Sequence, residues 1–254
     1  MTEEEYFMKS HHRVAAMAFS VLVLAMGLLR STPGVGAAAT GQISGTVKLD
    51  GQVPHQKPID MSKDPSCGQT RGGTQATTEN VVVGANGGLA NVVVYISQGL
   101  TGNEAATPSQ PATIDQKGCQ YVPHVVALNV GQHMTVLNSD KTAHNIHPQP
   151  SPGGGNGQWN KSQIAGSGPI DVAWTNEEVA IPVKCNIHPW MHAYIAVVKG
   201  PFGVSNDSGS FKLDNVPPGA YTLTAWQETY GTQTQNVTVA AGKPAAVSFT
   251  FKAK

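Results

Sequence analysis

The sequence predicts an all-β protein built as β-sandwiches, and three observations predict it. Its apolar segments are short, either alternating with polar residues or running unbroken for one strand's length, and none keeps helical spacing. Valine and threonine are plentiful, while Gly (28) and Pro (17) punctuate the chain at short intervals. Hydrophobic residues make up 40% of the 254 residues and charged ones only 13%, so the chain has material for a core and is not a charged disordered polymer. Lys+Arg (16) equals Asp+Glu (16), which leaves no basic footprint for nucleic acid.

The first element is an address. Residues 14–29, VAAMAFSVLVLAMGLL, follow Lys9, His11, His12 and Arg13 and lead to the small residues Ala37 and Ala39. These are the parts of an export signal, so residues 1–39 are expected to be a signal peptide cleaved after Ala39, with the rest periplasmic or secreted. The apolar run is shorter than the roughly 20 residues of a spanning helix, so a membrane is expected only through an uncleaved signal. Glu3, Glu4 and Glu5 sit where a signal carries positive charge, and a start at Met8 gives a more conventional MKSHHR opening.

The strands follow in order. ISGTVKLDG (43–51) alternates apolar and polar before a turn, and NVVVYIS (91–97) is an unbroken apolar run. HVVALNV (124–130) and MTVLN (134–138) flank a Gly turn, and DVAWT (171–175), EVAIPVK (178–184) and AYIAVVKG (193–200) come next. FKLDNV, YTLTAWQ, QNVTVAA and AVSFTF finish the chain. Residues 98–111 and 148–160 are polar or rich in Pro and Gly and read as loops, and 201–209 reads as a linker. No internal repeat is present.

Three cysteines in an exported chain leave an odd thiol. Cys67 (DPSCGQT) and Cys119 (QKGCQYVP) lie in turn-like settings, whereas Cys185 stands among potential metal ligands. A Cys67–Cys119 disulfide is therefore expected. The alternatives are three free thiols or a bond from Cys185 to one of the others.

The chemistry concentrates in Cys185-Asn-Ile-His188-Pro-Trp-Met191, a turn between two strong strands, and in the upstream TAHNIH with His144 and His147. One thiolate, two imidazoles and a distant thioether make the ligand set of a blue-copper electron-transfer centre. C-x-x-H-x-x-M after a strand, with an upstream His-Asn, resembles the cupredoxins, the plastocyanin and amicyanin group, with the short spacing to Met191 most like amicyanin. The resemblance spans 112–200 and implies a Greek-key sandwich with one type 1 copper held by His144, Cys185, His188 and Met191. Asn145 would brace the ligand loop. His188 would present its imidazole edge to solvent as the electron's exit, beside an apolar docking patch of Pro189 and Trp190. Other readings stay open: His147 in place of His144, Met191 as a core residue, or zinc with His147 or His192 as a fourth ligand. His124 and His133 read as ordinary surface or strand-end residues, and His192 should point away from Met191.

Residues 208–251, with Gly209-Ser-Phe211 and the turn Val216-Pro-Pro-Gly-Ala-Tyr221, resemble the second half of a carboxypeptidase regulatory-like domain, and 43–51 resembles its first strand. That family implies a transthyretin-like β-sandwich without catalytic residues. The organisation expected is signal (1–39), N-terminal β region (40–111), cupredoxin domain (112–200) and regulatory-like part (201–254). The second sandwich is either split around the first or separate from it.

The resulting functional expectation is an exported copper protein that carries single electrons between transient redox partners. It is not expected to be an enzyme: the four ligands leave no open position for substrate, and no C-x-x-x-C, H-x-H, hydrolase triad or phosphate loop is present. The alternatives are copper binding or delivery without electron transfer, and a structural β-sandwich protein.

Overall fold

A computed structural model describes residues 39–102 and 108–253. The expected signal sequence through residue 38, and the start at Met8, lie outside the described residues. The chain is all-β. The first strands are β1 (Gly41–Asp50), β2 (Val93–Gln98), β3 (Ala112–Lys117), β4 (Gln120–Val122), β5 (Val125–Asn129) and β6 (His133–Asn138). Next come β7 (His144–Pro148), β8 (Lys161–Gln163), β9 (Ile170–Ala173), β10 (Glu178–Lys184) and β11 (His192–Val198). The last are β12 (Phe202–Val204), β13 (Ser210–Val216), β14 (Gly219–Gln227), β15 (Gly231–Val239) and β16 (Pro244–Lys252). One short α-helix, α1 (Pro65–Thr70), and a 3-10 turn (Ala85–Gly87) lie between β1 and β2. Among the described residues no helix is long and apolar enough to cross a membrane.

These strands make four sheets in two sandwiches. Sheets β13-β1-β16 and β12-β2-β14-β15 enclose one core, and sheets β5-β11-β10-β7-β8 and β4-β3-β6-β9 enclose the other. Strand β1 runs antiparallel to β13 and parallel to β16, while β2 lies between β12 and β14. Two N-terminal strands thus complete sheets whose other strands come after residue 201. The alternation of β16 is strict, with Val247, Phe249 and Phe251 buried and Ser248, Thr250 and Lys252 exposed, as a one-faced strand requires.

The unbroken apolar runs have a different cause. In β2, Val94 and Ile96 enter the core of their own sandwich, while Val93 joins Val125 of β5, Ala196 of β11 and Trp226 of β14 in a separate cluster. In β11, Ala193, Ile195 and Val197 fill the second core, and Ala196 faces that same cluster. Both strands are apolar on both faces because the sandwiches pack against each other there. The linker expected at 201–209 needs correction: Phe202–Val204 is β12, paired with β2. Its partner is a hundred residues away in sequence, so no local pattern announces it.

Cys67 and Cys119 form a disulfide, and Cys185 is free and buried. Cys67 lies in α1, where Asp64 is the N-cap and Pro65 opens the first turn. Cys119 lies in the two-residue hairpin between β3 and β4, where Gly118 (φ 64°) and Cys119 (φ 52°) both take left-handed conformations. The bond spans 52 residues. Replacing both cysteines by serine is expected to cost about 4 kcal/mol of stability by loop entropy, read as a lower urea midpoint with a steeper slope, because the uncrosslinked unfolded chain is more expanded.

Candidate metal centre

The site grows from the β3–β4 hairpin. Its two left-handed residues aim consecutive backbone N–H groups at one carboxylate: Gly118 donates to Asp140 Oδ1 at 2.7 Å and Cys119 to Oδ2 at 2.8 Å. Asp140, buried, then engages His144 Nε2 at 2.9 Å. Burial pushes the Asp140 carboxyl up, but His144 and the two amides outweigh it and hold it below its usual range. A carboxylate can only accept here, so Nε2 carries the proton and Nδ1 faces inward.

His188 is arranged the same way. Its Nε2 lies 2.9 Å from Asp64 Oδ2, the carboxylate that caps α1 by accepting from Ser66 N at 2.9 Å. Bonds from Ser66 first and His188 second lower the Asp64 carboxyl to about 2. The two inward nitrogens, His144 Nδ1 and His188 Nδ1, stand 3.0 Å apart, and Cys185 Sγ lies 4.0 Å from His188 Nδ1. His144, Cys185 and His188 are all buried and their ligand atoms lie within 4.8 Å of one another. Burial raises the Cys185 thiol, but His144 and nearby backbone amides prevail and lower it to about 7. Burial likewise lowers His144, but Asp140 and Cys185 prevail and raise it to about 9.

The structure assigns the remaining residues distinct places. Met191 is buried in the same core, and its backbone closes the ligand loop: its N–H donates to His188 O and its carbonyl accepts from Cys185 N. Asn145 Oδ1 accepts from Asn186 N at 2.7 Å and from Cys185 Sγ at 3.3 Å, while its Nδ2 donates to Asn160. Asn145→Ala removes this tie between two loops. It is expected to cost about 1–3 kcal/mol for the groups left unpaired, measured by chemical denaturation of the metal-free protein. His147 bonds Asn186 and Gln158 instead, and neither His147 nor His192 joins the His144–Cys185–His188 group.

Two expectations need correction. His188 offers no solvent edge: its side chain is 2% exposed, covered by Asp64 and by the Trp190 ring at 5.1 Å. Trp190 is held inward, its Nε1 donating to Cys119 O at 3.1 Å, so of the expected docking pair only Pro189 is exposed, near Ile187 at 49%. The disulfide reinforces this cover, since both its sulfurs lie within 4.8 Å of His188's ring nitrogen. His124 stands at a strand end, one of the two places expected for it, and is buried there against Glu228. His133 is exposed and paired with Asp171 at a strand start, as expected.

Sequence reasoning missed Asp140 and Asp64. Asp140 had a signal, lying four residues before His144 in a turn. Asp64 had none as a neighbour of His188, 124 residues further on.

Residues 192–252 match the family model of the carboxypeptidase regulatory-like domain. The match takes in 208–251 and begins at the first residue of β11, a strand of the sandwich that carries the His144–Cys185–His188 cluster. Among solved structures, the chain is similar to a Cu-containing nitrite reductase from Thermus scotoductus SA-01 at 19% identity, 41% of this chain, 26% of that chain and a TM-score of 0.33. The chain thus spans about a quarter of that reductase's length. It is similar to a purple cupredoxin from Nitrosopumilus maritimus at 21% identity, 34% of this chain, 99% of that chain and a TM-score of 0.29. It is also similar to amicyanin from Paracoccus versutus at 12% identity, 41% of this chain, 97% of that chain and a TM-score of 0.31. No curated protein sequence matches the chain.

Proposed function

We propose that the protein holds one type 1 copper ion on His144, Cys185 and His188, with Met191 as a weak fourth ligand, and carries single electrons between redox partners. One observation carries this reading. Two imidazoles, each with its Nε2 engaged by a carboxylate, turn their Nδ1 atoms on each other at 3.0 Å beside a thiol. With both Nε2–H groups donating, the facing Nδ1 lone pairs repel unless a proton or a cation lies between them. Metal–imidazole bonds of about 2.0–2.1 Å meeting at 90–110° separate their nitrogens by about 3 Å, which fits. A soft thiolate with two imidazoles suits copper in both oxidation states, and the bound ion supplies a one-electron Cu(I)/Cu(II) couple. The chain's own part is to fix the rings through Asp140 and Asp64, keep the Cys185 thiol readily ionised, and exclude water with the surrounding core.

Export to the periplasm or beyond belongs to the same reading, supported by the N-terminal residues alone. So does the division into a metal-bearing sandwich (112–200) inserted in a regulatory-like module formed by 40–111 and 201–254; the pairing of β1 and β2 with later strands supports it. Ile187 and Pro189 are the exposed apolar residues of the ligand loop on which a partner would dock.

The test is a visible and EPR spectrum of the purified protein after stoichiometric Cu(II). An intense thiolate-to-copper band with narrow copper hyperfine splitting is expected. A colourless protein with an ordinary copper spectrum would show that the ligands do not act together. The burial of His188 favours a second reading, in which the site stores copper rather than passing electrons. A reversible potential by film voltammetry supports electron transfer; slow, irreversible copper release on reduction supports storage.

A further inference from the structure

A second set of metal-ligating side chains lies where the two sandwiches meet. His124 and His192 stand at the same end of adjacent parallel strands, His124 immediately before β5 and His192 as the first residue of β11. Their rings meet edge to face at 5.1 Å. Glu228 comes from the other sandwich, in the turn after β14. Gln227 builds that turn by accepting from the backbone N–H groups of Thr229 and Tyr230, and it ties the turn to Asn80 O through its Nε2. Glu228 Oε1 lies 3.0 Å from His124 Nε2, and both side chains are almost fully buried, at 3% and 2% exposure.

The hydrogen bonding here is incomplete in a specific way. His192 Nδ1 lies 3.2 Å from the Trp190 carbonyl. A carbonyl can only accept, so Nδ1 carries the proton and Nε2 bears a lone pair. That Nε2 is buried and has no partner, and neither has Glu228 Oε2. Both unpartnered atoms are acceptors, and an unsatisfied buried acceptor costs about 1–3 kcal/mol. His124 and the Tyr194 hydroxyl serve Glu228 from one side, which leaves these two buried acceptors as the pair a cation would satisfy. The three ligand atoms lie within 4.8 Å of one another, and His192 already has the backbone carbonyl behind its ring that fixes a metal-binding imidazole.

We propose that His124, His192 and Glu228 form a second metal site, for a divalent ion of zinc type, that clamps one sandwich to the other. Two imidazoles and one carboxylate suit such borderline ions. The set lacks the six or more oxygens calcium takes and the thiolate that favours Cu(I). Glu79, half-buried, lies close enough to feel the charges of His124, His192 and Glu228. The apolar joint of Val93, Val125, Ala196 and Trp226 adjoins the cluster, with the Tyr194 and Trp226 rings 5.1 Å apart.

The test uses full-length protein carrying Cys185→Ser and His144→Gln, so that the thiolate and the facing imidazole pair are both disabled. Zinc is titrated calorimetrically, and bound zinc is counted after desalting. We expect one equivalent that raises the melting temperature, and we expect Glu228→Gln and His192→Gln each to weaken that binding about 100-fold or more. The metal-free melting temperatures of these variants report whether they fold. Failure of this doubly substituted protein to take up zinc, or zinc uptake unchanged by Glu228→Gln in a folded variant, would overturn the proposal. Because Cys185 and His144 are already removed, neither outcome depends on the copper reading.

Discussion

Cys185→Ser is expected to abolish the visible thiolate-to-copper band altogether while leaving the fold in place. The band requires a sulfur lone pair donating into Cu(II), and a serine hydroxyl stays protonated at any pH the protein survives. Cu(II) would then meet two imidazoles and give the weak absorption and wide hyperfine splitting of an ordinary site. The fold should survive because the substitution conserves shape. The thiol is buried, and what surrounds it, Asn145 Oδ1 at 3.3 Å and His188 N at 3.4 Å, can bond a hydroxyl. The stability change should therefore stay within about 1–2 kcal/mol, checked by thermal unfolding of the metal-free variant. A variant that remained blue would refute Cys185 as the ligand.

Asp64→Asn tests the cover over His188 and should shift the reduction potential upward. The carboxylate does two jobs at once. Oδ1 caps α1 through Ser66, and Oδ2 engages His188 Nε2. Asparagine caps a helix about as well as aspartate, so α1 is retained. Its amide NH2, however, would face the His188 Nε2–H as donor against donor. The imidazole loses a negative partner that makes it a more basic ligand, and basic ligands favour Cu(II) over Cu(I). A charge-assisted hydrogen bond worth about 1–2 kcal/mol to the oxidised state corresponds to a rise of about 40–90 mV for one electron. Spectroelectrochemistry measures it, with the melting temperature as control. An unchanged potential with intact copper binding would reduce Asp64 to a helix cap.

Much of the fold was legible because strands leave local traces. The alternation in β16 and the apolar runs of β2 and β11 are properties of short segments. The strands that escaped notice, β3, β4, β7, β8 and β12, are short or carry mostly polar residues such as Gln120 and Lys161. Their pairing comes from distant partners rather than from their own pattern. The histidines show the same division. His144 and His188 announced themselves by spacing to Asn145 and Cys185, whereas His124 has no local feature that separates a buried residue from a surface one.

The sequence by itself therefore determined the all-β class, singled out His144, Cys185 and His188 as a cluster and indicated the Cys67–Cys119 pairing, since each depends on residue types close together or on the redox chemistry of three thiols. Tertiary structure alone decided what surrounds that centre. Asp64 reaches His188, and Glu228 reaches His124, only because β1, β2 and the disulfide fold one sandwich's strands and loops against the other. A side chain's chemistry is written at its own position. Its burial, its tautomer and its partner are set by groups brought to within about 3 Å by packing, and sequence spacing carries no trace of them.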